Sequence, residues 1–107
     1  MNKLRITCTC WRPLRKGTLY GFCRVRINEL KLIIFDIAVH KRGDSRWAQL
    51  PGPPWVRNGA LVTENGKTQY AALLEFETRE FRDAFSRAVV TVLLQFAPDA
   101  FEEESVA

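Results

Sequence analysis

Apolar side chains recur at every second position over much of the first 40 residues, a spacing that predicts half-buried β-strands. One such segment is Lys3–Trp11, and a second is Thr18–Ile27. The segment Lys31–His40 is apolar at both sets of alternate positions, which predicts a central strand covered on two faces. Because short polar connections join these segments, the chain is expected to begin with an antiparallel sheet.

Turn-forming residues mark the expected strand ends. Three turns are predicted, at Arg12–Gly17, Asn28-Glu29 and Lys41–Asp44. A short strand is expected at Arg46–Leu50, before a cluster of prolines. Asn65-Gly66 predicts a two-residue hairpin turn, because both residues tolerate positive φ, and this turn places Glu64 opposite Lys67.

A single long helix is predicted from Arg79 to Phe96. Its apolar residues recur at three- and four-residue steps: Phe81, Phe85, Ala88, Val89, Val92, Leu93 and Phe96. Thr78 is the expected N-cap, and Pro98 is expected to end the helix. The whole pattern predicts an α+β domain, with an antiparallel sheet of about five strands followed by one long C-terminal helix.

The length of the chain predicts one domain, residues 1–98, followed by an acidic tail, residues 99–107. A helix about 10 Å wide cannot cover a sheet whose strands lie about 4.8 Å apart. The strand Lys31–His40 also needs cover on both faces. We therefore expect a homodimer, in which a second copy of the chain buries the remaining apolar surface.

Basic and acidic residues are divided between the two halves of the chain. Residues 1–57 contain twelve Lys or Arg and three acidic residues, whereas residues 58–107 contain four Lys or Arg and nine acidic residues. The net charges are therefore +9 and −5, which give the chain its formal +4. A strongly basic half predicts a polyanionic partner such as a nucleic acid.

Other classes of function are not favoured by the composition. The three cysteines and one histidine predict reduced, buried thiols rather than a disulfide framework or a metal site. No Gly-rich phosphate loop or Gly-x-Ser-x-Gly motif occurs, so we do not expect an enzyme or a bound cofactor. Without a signal peptide or a long apolar run, the chain is expected to be a soluble cytoplasmic protein, with neither a membrane nor a small-molecule partner.

The segment Thr18–Ile27 alternates aromatic and basic residues on the side away from the expected core. Tyr20 and Phe22 are expected to stack on bases, and Arg24 and Arg26 are expected to contact phosphates. The residues expected to add to the positive potential are Arg5, Arg12, Arg15, Lys16, Lys41 and Arg42. The alternative is that the two aromatic rings pack under the helix or at a dimer contact, with the arginines at the edge.

The segment Leu32–Pro54, LIIFDIAVHKRGDSRWAQLPGPP, resembles the stage V sporulation protein G family of bacterial septation and transcription regulators. That family shows an apolar strand ending in an Asp-Ile pair, a further strand, a Gly-containing turn and a short aromatic-apolar strand closed by Pro. The corresponding residues here are Asp36-Ile37, Gly43, Trp47 and Pro51. The resemblance spans most of the chain and implies a small dimer that binds nucleic acid.

The chain differs from that family in three places: a longer Pro51–Lys67 insertion, the basic Arg12–Lys16 turn and an acidic C-terminal end. No contact residue is therefore carried over from the family's C-terminal segment. The order of strands followed by a helix is also similar to the single-stranded-DNA-binding transcriptional coactivator fold, a likeness of fold alone.

Together these patterns predict a small dimeric nucleic-acid-binding protein that favours single strands and acts as a transcription or septation-type regulator or accessory factor. The rival is a protein-interaction module without nucleic-acid binding, in which the helix face and the Trp55 loop dock a partner. Trp47 and Trp55 are themselves interpreted as packing anchors. A third possibility is that Glu102–Glu104 fold over the basic surface and compete with the ligand.

Overall fold

The computed structural model describes residues 4–102, and its elements follow the predicted order. The strands and helix are β1 (Ile6–Lys16), β2 (Leu19–Ile27), β3 (Leu32–Arg42), β4 (Ser45–Gln49), β5 (Val56–Arg57), β6 (Ala60–Leu61), β7 (Thr63–Glu64), β8 (Lys67–Thr68) and α1 (Arg79–Phe96). The first four strands form an antiparallel sheet in the order β1-β2-β3-β4, and the next four form two small hairpins. The fold is therefore α+β with one long C-terminal helix, as predicted.

The core lies between one face of the sheet and α1. On β2 the alternate residues Cys23, Val25 and Ile27 are buried, as the sequence predicts. The other buried members of the core are Cys8, Tyr20, Ile37, Val39, Phe85, Val89, Leu93, Ala100 and Phe101. We call this side of the sheet the helix-side face. The opposite side, which carries Phe22, Arg24 and Arg26 of β2, is the outer face.

The predicted helix limits are confirmed, and so is its cap. The backbone N–H of Phe81 donates to Thr78 Oγ1 over 3.2 Å, which satisfies one of the free donors at the helix start. The buried stripe is shorter than predicted, because Phe81 and Phe96 are 48% and 50% exposed. These two residues lie in the first and last turns of α1, whereas the fully buried residues lie between them.

Two of the predicted turns are partly strand. β1 continues through Arg12–Lys16 and turns only at Gly17-Thr18, and β3 includes Lys41 and Arg42 before the turn at Gly43-Asp44. Pro13 is tolerated within β1 because this is an edge strand, where a missing backbone N–H need not break the ladder. The basic residues predicted to lie in turns therefore lie on strands, where each is assigned to one face.

Two β-bulges change the side on which individual residues fall. Between Leu19 and Gly21, β2 has one residue more than the paired stretch of β3. Between Ile34 and Ile37, β3 has one residue more than the paired stretch of β2, and Asp36 takes a φ of 57° there. A bulge reverses the alternation locally, so strict period-two counting fails at both places.

The predicted two-sided cover of β3 is not present within residues 4–102. Ile37 and Val39 are fully buried, but Leu32, Ile33 and Phe35 are 46%, 47% and 52% exposed. The helix covers only one face of the sheet, and the first half of β3 extends past the buried part of the core. The homodimer that would bury this surface stays a prediction.

The packed domain extends beyond residue 98, where the acidic tail was expected to begin. Ala100 and Phe101 are 8% and 3% exposed, and the Phe101 ring packs on Tyr20 with 5.8 Å between the ring centroids. The first residues of the expected tail therefore belong to the core, because an aromatic ring is buried there. Residues 103–107 of that tail, and Lys3 of the first predicted strand, lie outside the described residues.

The segment between β4 and α1 contains the two small hairpins. Asn65-Gly66 forms the predicted turn with φ values of 53° and 78°, and Glu64 pairs with Lys67 as expected. Asn58-Gly59 forms a second turn of the same kind between β5 and β6. Pro54 and Tyr70 bridge the ends of this segment, so it leaves and returns at the same place beside β4.

Candidate nucleic-acid interface

The pairing of the strands arranges the outer face as rows that run across the sheet. Paired residues on neighbouring strands point to the same side. The rows are Thr7–Arg26–Ile33, Cys10–Arg24, Arg12–Phe22–Ala38–Gln49 and Lys16–Leu19–His40–Trp47. Successive rows bring four of the predicted basic residues and one predicted aromatic residue onto a single surface.

Arg24 and Phe35 form the first of two arginine–aromatic pairs on this face. The guanidinium carbon of Arg24 lies 4.3 Å from the centroid of the Phe35 ring, a cation–π distance. Phe35 is half-exposed, while the Arg24 side chain is partly buried and its Nε has no hydrogen-bond partner within residues 4–102. Strict alternation places Phe35 beside Ile37, and the bulge at Asp36 is why sequence reasoning missed it.

Arg12 and Phe22 form the second pair. The guanidinium carbon of Arg12 lies 5.5 Å from the centroid of the Phe22 ring. Arg12 Nη2 also donates to Asp36 Oδ1 over 2.7 Å, and both side chains are 63% exposed. Such an exposed ion pair adds little stability. It partly neutralises Arg12 and positions the guanidinium above the ring.

Arg26, Lys16 and Arg42 are exposed and complete the basic residues of the outer face. Arg26 pairs with Thr7 and Ile33, one row beyond Arg24. Lys16 pairs with Leu19 at the other end of the sheet, and Arg42 follows His40 by two residues on β3. Positively charged residues therefore lie on both sides of the two arginine–aromatic pairs, toward each end of the sheet.

Arg5 lies at a corner of the sheet and is tied to an acidic residue. Its backbone N–H donates to Glu29 Oε1 over 2.7 Å, and its Nε donates to Glu29 Oε2 over 2.9 Å. The backbone hydrogen bond, followed by the side-chain one, lowers the pKa of Glu29. Glu29 therefore stays charged and neutralises Arg5, so Arg5 contributes less to the basic surface than the sequence predicts.

Tyr20 does not lie on the outer face, and that prediction is wrong. Its side chain is only 6% exposed and packs against Phe101 on the helix-side face. The bulge between Leu19 and Gly21 causes the change, because it turns Tyr20 toward the core. The sequence left open that Tyr20 packs under the helix or at a dimer contact; its ring is indeed buried, but against Phe101, which follows the helix.

Arg15 and Lys41 lie beside the ring of Tyr20 rather than on the outer face. The guanidinium carbon of Arg15 lies 3.7 Å from the Tyr20 ring centroid, and Lys41 Nζ lies 5.8 Å from it. Lys41 Nζ also donates to the carbonyl oxygen of Phe101 over 3.3 Å. The Lys41 contact fastens the C-terminal segment to the sheet, whereas Arg15 covers the ring of Tyr20.

The three cysteines lie on different faces of the sheet. Cys8 and Cys23 are buried on the helix-side face, and burial raises the pKa of Cys23 to about 12 and raises that of Cys8. Cys10 pairs with Arg24 and is partly exposed on the outer face. Within residues 4–102, no group of three or more His, Cys, Asp or Glu residues is arranged to hold a metal ion.

The outer face can bind an anionic polymer, because cations and accessible rings occur together on it. Guanidinium groups attract phosphates, and flat rings accept unpaired bases by stacking. Over the same part of the chain, no helix has the length and apolar character needed to cross a membrane. No known protein family, curated protein or solved structure matches the chain.

Proposed function

We propose that the protein binds single-stranded nucleic acid on the outer face of its sheet. The observation that supports this most strongly is the pair of arginine–aromatic contacts, Arg12–Phe22 and Arg24–Phe35, next to the exposed Arg26. Each contact places a positive charge and a ring at the same point. A strand laid across the sheet would meet a phosphate-binding group and a base-stacking group at each of these points.

An unpaired strand fits this surface better than a duplex does. Phe22 is partly exposed and Phe35 is about half exposed, so the parts of these rings that their arginines do not cover are available to unstacked bases. The bases of a duplex are stacked on each other and do not offer their flat faces to a sheet. The ligand is therefore a flexible single strand of DNA or RNA, bound mainly through its phosphates and base faces.

The biological role that agrees with this binding is that of a transcription or septation-type regulator or accessory factor. The resemblance of Leu32–Pro54 to the bacterial septation and transcription regulators supports it. An apolar groove on the helix-side face would serve as the contact of the predicted homodimer, because four of the apolar residues that line it are exposed: Leu30, Leu32, Leu74 and Phe81. A dimer formed there would leave the outer faces of both copies open to the strand.

The test is the salt dependence of binding to a fluorescently labelled single-stranded oligonucleotide. Wild type is compared with the double variant Arg24→Ala, Arg26→Ala by fluorescence anisotropy over a range of salt concentrations. Each lost phosphate contact should reduce the slope of log affinity against log salt by about 0.7 on a single strand. We expect the double variant to bind more weakly, with a slope smaller by about 1.4 in total.

The matched control removes two arginines from other surfaces. Arg57 on β5 and Arg87 on α1 are both exposed, so the double variant Arg57→Ala, Arg87→Ala has the same net charge as the test variant. It should bind with nearly the wild-type slope. An affinity that does not change with salt, or equal weakening by the test and control variants, would contradict the proposal.

A further inference from the structure

A recess lies on the outer face where a small side chain is surrounded by large ones. Ala38 on β3 pairs with Phe22 on β2 and with Gln49 on β4. The next row contains His40 and Trp47. Because a methyl group is much shorter than its neighbours, the surface is lower at Ala38 than at any of these four residues.

The recess belongs to a cleft of about 870 Å³ that continues past β4 toward Asp83 and Ser86 of α1. Its outer-face wall is formed by Phe22, Ala38, His40, Trp47 and Gln49, and Tyr70 lines it from the hairpin segment. The volume is within the range of small-ligand sites, roughly 300–1,000 Å³. The cleft is therefore large enough to hold a planar heterocyclic ring.

The groups that line the cleft suit a nucleobase. The rings of His40 and Trp47 are stacked, with 5.3 Å between their centroids and 8° between their planes, so a further flat ring can be added to the stack. The Gln49 side chain is exposed and carries one hydrogen-bond acceptor and a donor, which can pair with the edge of a base. Trp47, which is interpreted from the sequence as a packing anchor, stacks on His40 of the neighbouring strand β3.

The histidine supplies a second observation. Its Nδ1 lies 3.0 Å from Thr18 Oγ1, but its Nε2 is buried and has no hydrogen-bond partner among residues 4–102. The Gln49 amide is near enough to affect the ring, yet it makes no hydrogen bond of ordinary geometry to Nε2. Buried polar atoms are normally paired, so this unpaired ring nitrogen indicates a polar group supplied by a bound ligand.

We infer that this cleft receives one unpaired nucleobase of the strand bound on the outer face. The inference rests on the proposed function and adds a base-binding site at the β4 end of the interface. Bases elsewhere on the sheet stack on exposed rings, whereas this base would lie in the cleft that Phe22 and the stacked His40–Trp47 pair line. Lys16 lies in the same row as His40 and Trp47 and is placed to attract the adjoining phosphate.

The experiment fills the recess without removing any charge. Ala38→Leu is compared with wild type and with Ala60→Leu, a matched substitution at an exposed position in β6. Each protein is titrated with a ten-nucleotide oligo-dA and with an abasic strand of the same length. We expect Ala38→Leu to bind oligo-dA about tenfold more weakly, which is the loss of one stacked base. Its affinity for the abasic strand and its salt slope should be unchanged, and Ala60→Leu should behave as wild type.

A second variant tests the same site in case Ala38→Leu does not fold. Gln49 is exposed at the end of β4, so Gln49→Ala should keep the fold and still weaken oligo-dA binding severalfold. Wild-type affinity of either folded variant for oligo-dA would overturn the base site, and so would equal weakening toward the abasic strand. The proposed function fails separately, if wild type itself shows no salt-dependent binding to either strand.

Discussion

The two faces of strand β2 differ in the burial and in the charge of their side chains. On the helix-side face Cys23, Val25 and Ile27 are at most 6% exposed, and they pack with the apolar stripe of α1. On the outer face Phe22, Arg24 and Arg26 alternate with them and carry two positive charges. The comparison shows that a single strand supplies both the stability of the domain and its candidate binding surface.

The two faces differ because burial in the protein has opposite effects on apolar and on charged side chains. Burial of apolar side chains stabilises a protein by about 25 cal/mol for each Å² removed from water, so the helix-side face is most stable when it is packed against α1. Guanidinium groups lose hydration when buried without a partner, so Arg12 and Arg26 stay exposed on the outer face, while Arg24 is partly buried against the Phe35 ring. The guanidinium groups of Arg12 and Arg24 lie over aromatic rings, so their charges are already positioned before a phosphate binds.

The largest expected difference between the faces is in thiol reactivity. At pH 8, a pKa near 12 leaves Cys23 about a thousandth of the thiolate that a pKa near 9 would give. In the folded protein, a disulfide reagent such as Ellman's reagent should therefore modify Cys10 quickly, while Cys23 stays nearly unmodified. The Cys10→Ser variant should lose the fast phase. Equal rates for all three thiols in folded protein would contradict the assignment of faces.

The next difference concerns the two aromatic residues of β2 that lie on opposite sides. Tyr20→Ala removes a buried ring from the core and should lower the free energy of unfolding by about 3 kcal/mol in urea titrations. Phe22→Ala should cost much less stability but should weaken oligonucleotide binding by about 1 kcal/mol or more. The opposite result, with binding lost in folded Tyr20→Ala and kept in Phe22→Ala, would reverse the roles of the two faces.

The smallest expected effect is the pH dependence contributed by His40, the only histidine in the chain. Burial lowers the pKa of His40, and the nearby Gln49 amide opposes this in part. The unfolded chain therefore takes up this proton at higher pH than the folded protein does, so the contribution to stability is full above about pH 6.5 and falls as the pH drops below it.

The variant His40→Gln measures this contribution. Between pH 7.5 and pH 5.5, wild type should lose more of its free energy of unfolding than the variant does, as followed by urea titration at each pH. Asp and Glu residues titrate in both proteins and cancel in the difference. Parallel curves would mean that the His40 ring is as accessible in the folded protein as in the unfolded chain.

The features predicted correctly from the sequence depend on neighbours in the chain. Thr78 caps α1, and Asn65-Gly66 turns its hairpin, because each acts on backbone groups only a few residues away. The alternation of β2 from Gly21 to Ile27 is also observed as predicted. These signals need no knowledge of the rest of the fold, and they place Phe22, Arg24 and Arg26 on one face.

The features that the sequence did not predict depend on contacts between distant segments. The places of Tyr20 and Phe35 depend on two bulges, which are set by how β2 pairs with β3. The burial of Phe101 depends on Tyr20 and Lys41, which are far from it in the chain. The cleft at Ala38 requires side chains from three strands to meet.

The sequence by itself therefore determined the succession of the main strands and the helix along the chain, the helix cap, the Asn-Gly turns and the excess of positive charge in the first half. Only the tertiary structure decided which of those charges share a surface with exposed rings, and which of them fasten the C-terminal segment. The physical reason is that strand register is chosen by the packing of whole segments. One extra residue in a strand moves a side chain to the other face without altering any local signal.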